Sequence, residues 1–246
     1  MTTGKGKLFS RLSLRSHWSV LIVLVGIMLL ILTLHLIFMT AKTGSPEYWE
    51  LVGLFDMDSE ISLFTWYSTV ILLFVPSVLL FYIGWQKRQA KEKLSWGWFV
   101  VSALFLFLSI DDGAMIHEKV STINRLIGLQ DVLSGVNSPL FAWSWWVIYL
   151  PIVAILGVIL VRWFFSLPAR TKILIATAIM VAVGGQVGME AVSSFVSNSS
   201  GEYVGPVWRG LQKFTGRLGL SVFLFAIIDY MLSTPNIKSR LAALFK

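Results

Sequence analysis

Six long apolar segments constrain this chain more than any other feature of its sequence. They cover residues 18–40, 62–85, 96–118, 141–161, 173–195 and 207–232. A helix needs roughly 20 apolar residues to cross a hydrocarbon core, and backbone groups in lipid must be hydrogen-bonded within the protein. The sequence therefore predicts an all-α, polytopic integral membrane helix bundle with six transmembrane helices, forming a single domain over residues 1–246.

Composition excludes the main alternatives to a membrane protein. Only 13% of the residues are charged, whereas about a quarter are charged in an ordinary soluble domain. There is no cysteine, so disulfides and thiolate metal sites are excluded. A basic leader precedes the first apolar segment, as in a signal peptide. However, this segment is longer than a signal sequence and no small-residue cleavage site follows it, so we expect it to be retained as the first helix.

The distribution of basic residues predicts the orientation. With a cytoplasmic N-terminus, the four cytoplasmic segments hold 14 of the 20 Lys and Arg residues, which is the positive-inside pattern. Both termini are then cytoplasmic. Attraction to anionic membrane lipids explains the net charge of +7, and we expect no nucleic-acid partner. The lack of cysteine and the compact loops favour a bacterial cytoplasmic (inner) membrane.

Charged residues from three predicted helices fall at a similar depth. Helix rise places Asp111, Asp112, Glu190 and Arg217 about 22–25 Å from the inner boundary, toward the outer leaflet. Charges in the bilayer cost several kcal/mol unless they are paired or hydrated. We therefore expect a counter-ion network of Asp111, Glu190 and Arg217, with Lys213 as a second cation. The basic residues of the last segment recur at every fourth position on one helix face: Arg209, Lys213 and Arg217.

Two kinds of chemistry are conceivable at this cluster. Acid–base catalysis would use His117 with Asp112 or Glu118 as candidate catalytic residues. A divalent metal would be bound by some of the candidate ligands Asp111, Asp112, His117, Glu118 and Glu190. The spacing matches no standard metal-binding helix. Asp111 and His117 are six positions apart, and both could reach one ion only if the helix breaks, for instance at Gly113.

Three functions remain open on these residues. The favoured one is a structural protein, or one that binds a partner subunit or membrane lipids, in which the charges hold the bundle together. The alternative is an outer-facing membrane enzyme acting on a lipid or lipid-linked substrate, with or without the help of a metal. The third is a small transporter or proton relay, although the inner half of the predicted bundle is almost wholly apolar.

Other features predict packing and surface. Gly184 and Gly188 form a small-xxx-small pair, with Gly185 beside them, which permits close helix contact within the chain or in a homo-oligomer. Pro76 predicts a kink in the second helix. The acidic segment 41–60 predicts a solvated outer loop. His35 predicts a hydrogen-bonded packing residue in the first helix.

The run from Leu106 to Asp112, followed by His117 and Glu118, resembles a pattern in uncharacterised bacterial multi-pass membrane proteins. In those proteins Leu-Asp-Glu, four residues and then His-Glu stand at the end of a helix, and a later helix carries Gly-Gly-x4-Glu. Gly184, Gly185 and Glu190 are similar to the second element. Asp112 stands where the pattern has Glu. The resemblance covers the last four helices and implies a site at this helix end without implying a reaction.

Overall fold

The computed structural model describes residues 14–40, 46–116, 146–189 and 205–244, and the single positions 119, 122 and 192. These described residues form eight helices and no strand, which confirms the all-α class. The helices are α1 Leu14–Thr40, α2 Pro46–Phe55, α3 Leu63–Gln89, α4 Ser95–Ala114, α5 Trp146–Ser166, α6 Ala169–Gly188, α7 Pro206–Ser233 and α8 Pro235–Leu244.

Five of these helices are long and apolar enough to cross a membrane: they comprise Trp18–Thr40, Leu63–Gln89, Ser95–Ala114, Ala169–Gly188 and Val207–Ser233. These segments match five of the six predicted ones to within a few residues where they are described. The remaining predicted segment, 141–161, is helical from Trp146 and continues to Ser166. Its apolar part, Pro151–Ser166, is shorter than the other five.

Helix α4 ends earlier than the predicted residue 118. Its last helical residue is Ala114, and Met115 caps it in the left-handed conformation with φ 54° while its N–H donates to the carbonyl of Asp111. A helix break, which a metal site shared by Asp111 and His117 would have required, is therefore present two residues after Gly113, at Met115. This ending places the buried residues Asp111 and Asp112 in the last turn of α4.

Helices α2 and α8 were not predicted. Helix α2 was missed because the many acidic residues of segment 41–60 suggested a solvated loop. Its apolar face nevertheless packs on the bundle: Val52 is buried, and Phe55 stacks on Phe38 of α1 with ring centroids 5.3 Å apart. The hydroxyl of Tyr48 also donates to the carbonyl of Phe38. The second half of this segment is consequently packed against the bundle and is not a solvated loop.

Helix α7 is the centre of the bundle and packs against α1, α3 and α6. Its contact with α6 is backbone to backbone: a Cβ added at Gly219 would lie 2.3 Å from the nitrogen of Ala182, and one added at Gly185 would lie 2.4 Å from the nitrogen of Gly216. Small residues allow such approach between helices in membranes. Within the described chain the close contact thus runs through Gly185, since Gly184 and Gly188 face open space.

Two of the five helices that are long and apolar enough to cross a membrane contain π-helical turns, Ser68–Phe74 in α3 and Gly184–Gly188 in α6. In α3 the wider turns end just before Pro76, which opens the following α-helical part. Proline lacks an N–H and clashes with the carbonyl four residues earlier, so a π-helical stretch before it relieves this clash. Isolated π-helical turns are frequent at functional sites, and both of these turns border the site described next.

Candidate ligand-binding site

The basic face of α7 forms three ion pairs with acids from other parts of the chain. Nη2 of Arg217 donates to Oδ1 of Asp112 at 2.7 Å, and Nζ of Lys213 lies 3.4 Å from Oε1 of Glu60. Arg209 pairs with Asp58. We call these three pairs the ion-pair ladder. Two of its acids belong to the acidic segment for which a solvated surface was predicted, and both turn toward α7.

Exposure decreases along the ladder toward the interior. The side chains of Arg209 and Asp58 are 40% and 34% exposed, those of Lys213 and Glu60 19% and 17%, and those of Arg217 and Asp112 17% and 11%. Opposite charges attract more strongly as water is excluded, because the local dielectric constant falls. The attraction within a pair is therefore expected to be strongest for Arg217 and Asp112 and weakest for Arg209 and Asp58.

The carboxylate of Asp112 accepts three hydrogen bonds in the described site. Its Oδ2 accepts from Ser68 Oγ at 2.9 Å and from Thr69 Oγ1 at 3.0 Å, while Arg217 occupies Oδ1. Ser68 and Thr69 open the π-helical part of α3, and Ser109 donates to the Thr69 carbonyl at 3.0 Å. Sequence reasoning missed these hydroxyls, although adjacent Ser and Thr in an apolar segment were a usable signal.

Asp111 points to a different neighbour from Asp112. Its Oδ1 accepts from the hydroxyl of Tyr149 at 2.9 Å, which ties α4 to α5. Consecutive residues on a helix are about 100° apart, so the two carboxylates leave the α4 end in different directions while both still line the cavity described next. Tyr149 was not among the predicted site residues.

A cavity of about 230 Å³ lies beside the inner part of the ladder. Leu73, Leu108 and Leu220 form part of its apolar wall. Its polar lining comprises Glu60, Asp111, Asp112, Tyr149, Gln186, Lys213 and Arg217. Four predicted site residues, Asp111, Asp112, Lys213 and Arg217, therefore surround one space.

Two polar atoms of the cavity wall lack a protein partner among the described residues. They are Oε1 of Gln186 and Nε of Arg217, both buried. Gln186 lies in the π-helical part of α6, and Gly216 admits its side chain, because a Cβ there would lie 2.9 Å from Oε1. A buried polar atom without a partner costs about 1–3 kcal/mol. A ligand with both donors and acceptors would remove this cost.

His35 anchors the acidic segment to α1. Its buried ring accepts the N–H of Met57 on Nδ1 at 3.2 Å, and Nδ1 lies 3.6 Å from Oδ1 of Asp56. The ring also packs on Gly210 of α7, where a Cβ would approach it to 2.8 Å. His35 thus fixes residues 56 and 57, which directly precede the ladder acids Asp58 and Glu60.

The remaining predicted site residues, His117, Glu118 and Glu190, lie outside the described residues. Of the predicted metal ligands, only Asp111 and Asp112 can be located. Within ranges 14–40, 46–116, 146–189 and 205–244, no group of three or more His, Asp or Glu side chains could hold a metal ion.

Comparison with known proteins gives one match. A family model described as "Domain of unknown function (DUF8692)" matches residues 20–227, which include the whole ion-pair ladder and the cavity lining. No curated protein and no solved structure matches the chain.

Proposed function

The chain belongs to the DUF8692 family, and from the geometry of its site we propose that it is an integral membrane protein that binds a lipid head group. In this proposal the chain has six membrane spans with both termini in the cytoplasm of a bacterium. The ladder then lies near the outer leaflet of the inner membrane. The ladder holds the helices in place, and the cavity beside it receives the head group.

The polar cavity is the observation that carries the proposal. Arg217 and Gln186 line it, and each carries a buried polar atom without a partner among the described residues, while Lys213 lines the same space. The lining holds the three carboxylates of Glu60, Asp111 and Asp112 against the two cations of Lys213 and Arg217, so a head group that carries an ammonium or hydroxyl beside its phosphate suits it better than a bare phosphate does. At about 230 Å³ the space is below the roughly 300–1,000 Å³ typical of small-molecule pockets. It therefore suits a head group and leaves the acyl chains in the bilayer.

The enzyme alternative draws less support from the described geometry. Asp112, one of its candidate catalytic residues, already accepts three hydrogen bonds, from Arg217, Ser68 and Thr69. A general base must be free to take a proton from the substrate. These contacts fit a positioning role for Asp112. The resemblance to uncharacterised multi-pass membrane proteins likewise supports a site here and not a reaction.

The transporter alternative requires a polar path across the bundle. Asp229, near the other end of α7, lies about 18 Å from Arg217 along the helix at the standard rise. Buried apolar side chains of α7, including Leu224, Phe225 and Ile227, occupy the interval. This packing favours a site that is reached from one side.

Native mass spectrometry of the detergent-solubilised protein tests head-group binding. Phosphatidylethanolamine, phosphatidylglycerol and phosphatidylcholine would be titrated separately. Gln186→Leu removes the buried acceptor at nearly constant volume, and we expect it to weaken the best lipid roughly fivefold, as for the loss of one hydrogen bond. Thr33→Val, which also replaces a polar side chain by an apolar one of similar volume, on α1 and outside the lining of both cavities, is the control and should leave affinity unchanged.

Two results would contradict the proposal. One is the absence of retained phospholipid on the folded wild-type protein. The other is equal affinity of wild type, Gln186→Leu and Thr33→Val for every lipid. Conversion of the bound lipid to a new product, abolished by His117→Ala in a folded protein, would favour the enzyme.

A further inference from the structure

A second polar cavity lies at the other end of the bundle, between the α3–α4 turn and α8. Its volume is about 270 Å³, and its lining includes Gln86, Lys87, Glu92, Asn236, Ser239 and Arg240. Gln86 stands 18 positions after Ser68 on α3, which is roughly 27 Å at the helix rise. The cavity is therefore separate from the ion-pair ladder and shares no lining residue with the first cavity.

Arg240 is held at this cavity by neutral groups. Its Nη1 donates to Oε1 of Gln86 at 2.6 Å and to Oε1 of Gln89 at 2.8 Å. None of the ion pairs in the described part of the chain includes Arg240. The two amides orient the guanidinium without neutralising it, and a guanidinium has five N–H donors. Further donors thus remain for an anion in the cavity.

Lys87 supplies a second oriented cation. Its Nζ donates to Oε1 of Glu92 at 2.8 Å and lies 5.7 Å from the ring centroid of Tyr230. Counted together, the lining holds the two cations Lys87 and Arg240 and the single carboxylate Glu92. The exposed residues Arg88, Lys91, Lys93 and Lys238 surround this end with further positive charge.

We propose that this second cavity binds a phosphate monoester group. Such a group carries about −1.5 to −2 charges at neutral pH, which suits a lining with one uncompensated cation, surrounded by the exposed Arg88, Lys91, Lys93 and Lys238, better than a singly charged carboxylate does. A guanidinium also binds two phosphate oxygens at once in a fixed geometry. Gln86 and Gln89 act as positioning residues for Arg240. The group can belong to a lipid such as phosphatidic acid or to a free metabolite such as glycerol 3-phosphate.

Titration of the full-length protein in detergent tests the site. The probes are short-chain phosphatidic acid, glycerol 3-phosphate and, as a diester control, short-chain phosphatidylcholine. We expect Arg240→Gln to weaken monoester binding at least tenfold. Lys238→Gln makes the same charge change two positions away, outside the cavity lining, and should alter the affinity less than twofold.

A Gln86→Leu/Gln89→Leu double variant separates a built site from general attraction, because it keeps every charge and removes only the support of Arg240. We expect it to weaken binding severalfold. Binding of phosphatidic acid alone identifies a lipid ligand, and binding of both monoesters identifies the phosphate group itself; either result supports the proposal. Equal losses in Arg240→Gln and Lys238→Gln, equal binding of phosphatidylcholine, or no binding by the folded wild type would overturn it. Unchanged thermal midpoints establish that the exposed-site variants fold.

Discussion

The two halves of α7 are held in the bundle by different forces. In the first half, Arg209, Lys213 and Arg217 pair with acids from the acidic segment and from α4. In the second half, Phe223 stacks on Phe105 with centroids 4.4 Å apart, and Tyr230 lies against Trp98 at 4.7 Å. The second half also has an ion pair, but its Arg170 is largely exposed while Asp229 is buried.

This difference separates two tasks within one helix. Apolar packing is nondirectional and sets how closely the helices approach. Charged hydrogen bonds are directional and expensive to leave unmade, so they select which acid meets which base and hence the rotation of each helix. A cavity with defined donors and acceptors is possible beside the ladder because this half of the helix is held by directional contacts.

Removing the innermost acid should have the largest effect. Asp112→Leu leaves Arg217 without its carboxylate in a partly buried place, and breaking such a pair costs about 3–5 kcal/mol. We expect a loss of this size in the free energy of unfolding, measured by titrating the protein in mixed micelles with SDS. The double variant Asp112→Leu/Arg217→Met should recover most of it, because a paired replacement leaves no lone charge. A cost below about 1 kcal/mol for the single variant would contradict a structural role for the ladder.

Disturbing the close helix contact should have a smaller effect. A Cβ at Gly219 would approach backbone atoms of Ala178 and Ala182 to 2.6 Å or less, and backbone cannot move aside as a flexible side chain can. Gly219→Ala should therefore cost about 1–3 kcal/mol in the same unfolding assay. Gly184→Ala is the matched control, since nothing lies within 4 Å of its added Cβ in the described chain. Similar effects of the two variants would show that α6 and α7 do not meet as described.

Breaking the most exposed ion pair of the ladder, Arg209–Asp58, should have the smallest effect on the free energy of unfolding. The side chains of Arg209 and Asp58 are 40% and 34% exposed, and exposed ion pairs contribute about 0–1 kcal/mol. Asp58→Asn should accordingly lower the unfolding free energy by less than about 1 kcal/mol. Its effect should shrink further as salt is added, because exposed charges are screened. A loss of unfolding free energy as large as that of Asp112→Leu would contradict the expectation that the more buried ion pairs contribute more to stability.

Hydropathy predicted most of the long helices, but it did not predict which acidic residues pair with which basic residues. The spacing of Arg209, Lys213 and Arg217 correctly placed them on one helix face, because that depends only on helix geometry. Their partners could not be predicted in the same way. Glu60 was expected to face solvent. It instead contacts Lys213, because His35 of α1 binds the N–H of Met57, three residues before Glu60.

The cavity lining shows the same limit. Asp111 was expected in the counter-ion network with Arg217 and Asp112 as a candidate catalytic residue, yet Asp111 accepts a hydrogen bond from Tyr149 and Asp112 accepts one from Arg217. Gln186 and the hydroxyls of Ser68 and Thr69 entered the site through π-helical turns. Such turns shift the face on which every later side chain lies, and their position depends on neighbouring helices as well as on local sequence.

The sequence by itself determined that the chain is helical, which segments are long enough to cross a bilayer, and that the last of them carries a basic face. Hydropathy and helical periodicity are properties of single segments, so they can be read from the sequence without knowing how the helices pack. Only the tertiary structure decided which acids meet those bases, where the helices touch through glycine, and where two polar cavities form. Each of these depends on the rotation and separation of helices relative to one another, which many side chains set together.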